Sequence, residues 1–261
     1  MPNLAANLSM LFGEVDFLDR FEAASKAGFT AVEYLFPYDY SADEINQKLK
    51  ANGLEQALFN APPGDWDKGE RGIACLPGRQ EEFKAGIKKA LEYVSVIGNE
   101  RLHVMAGILD DSADPQLAAD TYIQNIKYAA QEADKQGVTI LIEPINFIDI
   151  PGYFLNYQEE GVDFIEQIDE ENVRLQFDFY HCQMMQGNVV TTFKALQPFI
   201  DHVQIAGVPD RHEPDVGEMN YAFILEQLDA SGYKGFVGCE YKPKADTLSG
   251  LGWMSSLIKV I

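Results

Sequence analysis

Eight short apolar runs alternate along this chain with longer stretches whose apolar residues fall three and four apart, and no other feature restricts its fold as tightly. The runs are Leu4–Ser9, Ala31–Leu35, Glu55–Asn60, Arg101–Ala106, Thr139–Glu143, Val173–Asp178, His202–Ala206 and Phe236–Glu240. Between them, sets such as Phe17, Leu18, Phe21 and Ala24, or Tyr122, Ile123, Ile126, Ala129, Ala130 and Ala133, describe one-sided helices. Several of these helices are expected to stop at a glycine shortly before the next strand, at Gly28, Gly53, Gly98, Gly137 and Gly232. Glycine enters the left-handed conformation that closes a helix without a Cβ clash. Repetition of this unit implies parallel strands joined by right-handed crossovers.

Parallel strands form either an open, doubly wound sheet or a closed barrel. No Gly-x-Gly-x-x-Gly turn follows the first strand, so the dinucleotide-binding form of the open sheet lacks its fingerprint. Polar residues mark the C-terminal ends of nearly all the strands, namely Asn7, Glu33, Asn60, Glu143, Asp178, Gln204 and Glu240, with His103 inside the fourth. A barrel whose mouth is its active site produces that pattern. The length of 261 residues matches the roughly 250 of one such barrel, and no low-complexity stretch divides the chain. A single (β/α)8 barrel over residues 1–261 is therefore expected.

The charge narrows the partners. Asp and Glu number 41 against 20 Lys and Arg, a net charge of −21 that opposes a phosphate backbone, so nucleic acid is not an expected partner. No apolar run approaches the roughly 20 residues of a membrane helix, and no secretory signal is visible, which makes the cytoplasm the default location. Cys75, Cys182 and Cys239 are odd in number and widely spaced, as expected of reduced, packed thiols. A homo-oligomer is compatible with the sequence and not legible in it.

Strand parity gathers the candidate site. Ile140 and Ile142 share the face opposite Glu143; Val173, Leu175 and Phe177 lie opposite Asp178; Val203 and Ile205 opposite Gln204; Val237 and Cys239 opposite Glu240. If the apolar sets face the helices, all four polar side chains enter the barrel mouth. Any one of them could instead cap a helix or pair with a lysine; the signal is the set of four. Three carboxylates and a carboxamide suit a hard divalent cation, Mg2+ before Mn2+, better than zinc.

Glu143 and Glu240 come from strands three apart around the ring, and their carboxyls suit paired acid and base work through an enediolate, in an aldose–ketose isomerisation or an epimerisation. His181, three residues after Asp178, is placed to meet a substrate oxygen. An anionic substrate needs local cations, for which Arg211, in Pro209-Asp-Arg-His-Glu-Pro214, and Lys242 are candidates, although Arg211 has Asp210 and Glu213 as alternative surface partners. The long segment Asn60–Arg79 exceeds ordinary βα loops and is expected to be a lid that excludes water from the enediolate, with Arg71 and Arg79 as further anion-binding candidates; a structural Ω-loop is the competing reading.

The chain resembles the bacterial hydroxypyruvate isomerases of the xylose-isomerase-like barrel superfamily, end to end. The resemblance is carried by Ala5-Ala-Asn-Leu-Ser-Met-Leu-Phe-Gly-Glu14, Gly64-Asp-Trp66, Gly69-Glu-Arg-Gly-Ile-Ala-Cys-Leu-Pro-Gly-Arg79, Leu141-Ile-Glu-Pro-Ile-Asn146, Asp149-Ile-Pro-Gly152 and Gly238-Cys-Glu-Tyr-Lys-Pro243. It implies conversion of hydroxypyruvate to tartronate semialdehyde (2-hydroxy-3-oxopropanoate) without a nucleotide cofactor. It also implies Glu143, Asp178, Gln204 and Glu240 as metal ligands, with Glu143 and Glu240 as the acid/base pair. The sister group of 2-oxo-tetronate isomerases shares motifs like Gly207-Val-Pro-Asp-Arg-His-Glu-Pro214. Ketose 3-epimerases carry histidine where Gln204 stands, which weakens that assignment. Nuclease relatives need a histidine-rich trinuclear zinc site, which four histidines serve poorly. A dehydratase or aldolase would share the metal–enediolate chemistry, whereas a catalytically inactive binding barrel would need neither glutamate.

Overall fold

The computed structural model describes residues 3–110 and 112–257. Eight strands, β1 (Asn3–Asn7), β2 (Ala31–Tyr34), β3 (Glu55–Asn60), β4 (Arg101–His103), β5 (Thr139–Ile142), β6 (Val173–Asp178), β7 (Ile200–Ile205) and β8 (Phe236–Cys239), form a closed barrel in sequence order. All neighbours are parallel, and β8 returns to pair with β1. β3 and β6 coincide with the expected segments, and the others agree within three residues at either end. Glu143 and Glu240 stand one residue beyond their strands, as side chains at a barrel mouth do.

The helices that connect the strands bury one stripe each. In Gln80–Ile97 that stripe is Phe83, Ile87, Ala90, Leu91 and Val94, spaced three and four apart. Its end is set by Gly98, which takes φ +82° while its N–H bonds to the Val94 carbonyl. The next-earlier helix, Ala42–Asn52, opens with a capping box in which Ser41 and Glu44 exchange side-chain and backbone hydrogen bonds.

Two kinds of interior result. Outside the strands, Ile140, Ile142, Leu175, Phe177, Val203, Ile205 and Val237 join one continuous apolar core with the helices, as parity required. Inside, Ala5, Ala31 and Ala57 form a small separate cluster against Phe236. Above it the fill is polar: Glu33, His103, Gln176, His202 and Gln204 are all at most 2% exposed. Barrels of this class usually stack branched aliphatic layers at that level. A hydrogen-bonded layer instead places functional groups directly beneath the mouth. Cys75, Cys182 and Cys239 are free and buried.

The long segment after β3 is anchored. Ile73, Ala74 and Cys75 are fully packed, the Cys75 N–H bonds to the Ala106 carbonyl, and Asn125 donates to the Ala74 carbonyl. Gly72, at φ +101°, bridges to Ala106 with its Cα so close to Met105 that an added Cβ would lie 2.3 Å from the Met105 carbonyl oxygen. Tied down by these contacts, the segment is a wall of the mouth, an Ω-loop where a lid was expected. Among the described residues, no helix is long and apolar enough to cross a membrane.

Candidate active site

A cavity of about 250 Å3 opens at the C-terminal end of the barrel, lined among others by Glu143, Gln204, Glu240, His181, Arg211 and Lys242. Asp178 lies just beneath, fully buried. Its Oδ1 accepts the Tyr180 N–H at 2.7 Å and so caps the short helix Phe179–Met185. Its Oδ2 has no hydrogen-bond partner, and neither has Glu143 Oε1. Glu143, Asp178 and His181 each offer an atom to a common point, all within 4.8 Å of one another. Two buried carboxylate oxygens without a hydrogen bond are costly unless a cation or substrate meets them, and these two carboxylates therefore fit a hard divalent ion.

His181 enters this cluster in a particular tautomer. The Asn146 backbone N–H points at His181 Nδ1 at 3.3 Å, and an amide N–H can only donate. Nδ1 is then the bare nitrogen, and Nε2 carries the proton, 3.6 Å from Asp178 Oδ2 and 3.9 Å from Glu143 Oε1. A protonated Nε2 suits a donor to a substrate oxygen better than a metal ligand, which needs a free lone pair. The Asn146 carboxamide nitrogen, 2.6 Å from Nδ1, and Asp149 complete this support. Burial, followed by Arg211 and His103, holds the His181 imidazole well below its usual range, and burial pushes His103 down to about 3. Both rings are neutral near pH 7.

Burial acts oppositely on the carboxyls. It lifts Glu143 well above the carboxylate range, with Glu240 and then Asp178 adding to the rise. It lifts Asp178 to about 6 and Glu240 to about 8, in each against the opposing pull of Arg211. Arg211 itself is deeply placed, with Nη2 3.5 Å from both Asp178 Oδ2 and Glu240 Oε2. Its backbone adopts φ +55°, uncommon outside glycine, and its guanidinium lies 5.0 Å from the Tyr180 ring centroid. Asp210 and Glu213, its neighbours in sequence, are not its partners among the ion pairs described.

The two arginines of the long segment separate. Arg71 lines the cavity, its guanidinium 3.7 Å from the centre of the Trp66 ring, with Nη1 donating to the Trp66 and Glu70 carbonyls. Arg79 does not line it. Its fork is spent on Glu70 and Glu82, with Nη1 2.7 Å from Glu70 Oε1 and Nε 2.5 Å from Glu82 Oε2. Arg79 is therefore withdrawn as an anion-binding candidate and is better described as a clamp that ties the segment to the following helix. Lys242 lines the mouth and is exposed.

Two interior residues were absent from the expected set. Gln176 lines the cavity and donates to Gln204 Oε1 at 2.7 Å, and His202 sits fully buried 2.7 Å from Glu33. Parity could have found both, since Gln176 alternates with Leu175 and Phe177, and His202 shares its face with Gln204.

The family model described as xylose isomerase-like TIM barrel matches residues 21–257. The chain is 55% identical to the 2-oxo-tetronate isomerase of Cupriavidus necator, covering 97% of this chain and 98% of that one. It is 44% identical to the hydroxypyruvate isomerase of Escherichia coli, with the same coverage. A crystal structure from Brucella melitensis, described as an AP endonuclease of family 2, superposes with a TM-score of 0.96 at 46% identity, over 98% of this chain and 99% of that one. With the barrel closed, its mouth lined as above and these relatives matched along nearly their whole length, the chain belongs to the xylose isomerase-like TIM barrel family, on the branch of the hydroxypyruvate and 2-oxo-tetronate isomerases.

Proposed function

We propose that the protein isomerises a short 2-oxo acid bearing a hydroxyl on C3, moving a proton from C3 to C2 through an enediolate. The observation that carries this is the pair Glu143 and Glu240, two carboxyls on one small cavity that burial lifts out of the ordinary carboxylate range, with Glu240 adding to the rise of Glu143. Groups poised in this way serve as acid and base near neutral pH. One carboxylate removes the C3 proton, the C2–C3 double bond forms and charge collects on the C2 oxygen. The other carboxyl then protonates C2 while the C3 hydroxyl proton passes to the C2 oxygen, so that C3 becomes the carbonyl and C2 the carbinol.

A divalent ion, Mg2+ or Mn2+, held by Glu143, Asp178, Gln204 and Glu240, would polarise the substrate's carbonyl and hydroxyl oxygens and acidify the C–H between them. His181 offers its Nε2–H to a substrate oxygen, and Arg211 tempers the charge of Asp178 and Glu240. The net charge of −21 supports a small-molecule substrate over a phosphate backbone, despite the name of the Brucella structure.

Hydroxypyruvate, giving tartronate semialdehyde, is the substrate favoured by the motifs of the anchored wall and the catalytic strand. The greater identity to the Cupriavidus enzyme, 55% against 44%, favours 2-oxo-tetronate as the second reading. Both acids undergo the same C3-to-C2 proton shift. Proton NMR in D2O with each acid in turn should show isomerisation with deuterium entering at carbon, and the ratio of kcat/KM ranks the two. No exchange and no product with either acid would sink the proposal.

The substrate carboxylate is assigned to Arg71 and Lys242. A charged hydrogen bond is worth about 1.5–3 kcal/mol, so Arg71→Met is expected to raise KM roughly 10- to 100-fold. Arg79→Ala should leave KM within about twofold, because its guanidinium is engaged by Glu70 and Glu82 outside the cavity. Steady-state kinetics on the two variants check this; equal effects would refute the separation.

A further inference from the structure

The polar layer under the mouth contains a hydrogen-bonded chain that reaches Gln204 from behind. Glu33, completely buried on β2, receives three donors. Gln204 Nε2 lies 2.7 Å and Asn7 Nδ2 3.1 Å from its Oε1, and His202 Nε2 lies 2.7 Å from its Oε2. His202 Nδ1 has no partner. The tautomer with the proton on Nε2 therefore satisfies the carboxylate without stranding an N–H. The carboxyl occupies space that only a glycine leaves free. A Cβ at Gly238 on β8 would fall 2.3 Å from Glu33 Oε2 and 2.4 Å from Oε1.

This arrangement acts on Gln204 in one direction. A carboxamide has two ends of similar size and opposite hydrogen-bonding character, and only its oxygen can bind a cation. Glu33 lies outside the cavity lining and takes the nitrogen; Gln176, which does line the cavity, faces the oxygen at 2.7 Å. A rotation of 180° would set the Gln204 oxygen against a carboxylate and its NH2 against another NH2.

We propose that Glu33, braced by His202 and seated in the gap at Gly238, is a positioning residue that holds the Gln204 carboxamide with its oxygen toward the cavity before any ligand arrives. The proposal rests on the metal-site reading for its purpose, but the orientation itself is independent of a bound ion. Outer groups of this kind typically change metal affinity 10- to 100-fold when removed.

The test uses Glu33→Met, which removes the acceptor at similar volume, and Gly238→Ala, which displaces the carboxylate without deleting it. In metal-free protein labelled with 15N, the Gln204 side-chain NH2 pair, assigned by its loss in Gln204→Glu, should be protected from exchange and split by its bond to Glu33. Both features should disappear in Glu33→Met and in Gly238→Ala. Calorimetric titration with Mn2+ should show affinity falling about 10- to 100-fold in both variants. Adding Gln204→Glu to Glu33→Met should restore Mn2+ affinity to within about fivefold, because a carboxylate presents an oxygen in either rotation; a role confined to packing would not be rescued this way. If Glu33→Met does not fold, Gly238→Ala decides. Unchanged Gln204 signals in a folded variant overturn the proposal, as does failure of the rescue where the wild type binds Mn2+. A wild type that binds no Mn2+ sinks the metal-site reading alone, and the NMR signature then decides the positioning role.

Discussion

Glu143→Gln and Glu240→Gln are each expected to lower kcat by about 10³- to 10⁴-fold, the upper range for loss of a positioned acid or base. Glutamine preserves size and one cavity-facing oxygen while removing the ability to carry a proton, so Mn2+ binding should fall far less than turnover. The two variants should also differ from each other. The one lacking the group that returns the proton to C2 still ionises C3, so recovered substrate acquires deuterium from D2O without forming product. The one lacking the base does neither. Burial raises both carboxyls, and each lies close enough to Asp178 to feel its charge. Retention of more than a tenth of the activity in either variant would remove that residue from the proton-transfer step.

Removal of divalent ions should abolish turnover and also change how stability depends on pH. Asp178 and Glu240 are raised from ordinary carboxylate values of about 3.9 and 4.3 to about 6 and about 8. A carboxyl raised in the folded state binds more protons there than in the unfolded chain, so the folded protein loses stability as pH climbs from the unfolded value through the folded one. In chelator the melting temperature is expected to fall between pH 5 and pH 8 by roughly 10 °C, from a few kcal/mol at about 2–4 °C each. Saturating Mg2+ or Mn2+ should flatten that slope, since the ion competes with protons for the same oxygens. In Glu240→Gln the slope above pH 6 should shrink without vanishing, because burial also raises Glu143 well above the carboxylate range. Thermal melts by circular dichroism across this range check each statement, and a chelator-independent slope would count against the metal site.

The architecture was legible because it rests on local rules. A period of two in the strands, spacings of three and four in the helices and a glycine at several of the stops are visible residue by residue, and β3 and β6 fall where these rules put them. The inward set Glu143, Asp178, Gln204 and Glu240 followed from parity alone. Positions that depend on how distant loops fold were not legible. Arg71 and Arg79 look alike in sequence, yet the wall they share turns one over Trp66 and the other toward Glu82. Arg211 has acidic neighbours in sequence but finds its partners, Asp178 and Glu240, across the barrel. Gln176 and His202 are legible in principle, since parity turns both inward, but they lie one layer below the strand ends, where no run of polar residues marks them.

That lower layer has a consequence for how such a barrel can change over evolutionary time. An aliphatic interior tolerates drift one residue at a time, since a neighbouring methyl can fill or vacate space at modest cost. Glu33, His202, Gln204 and Gln176 have no such freedom, because exchanging any one strands a donor or acceptor on the others, at about 1–3 kcal/mol for each group left buried and unpaired. A methyl at Gly238 would push the Glu33 carboxylate out of its place. Substitutions here are viable as sets and harmful singly, so the chemistry at the mouth is separated from neighbouring chemistries by a valley several residues wide.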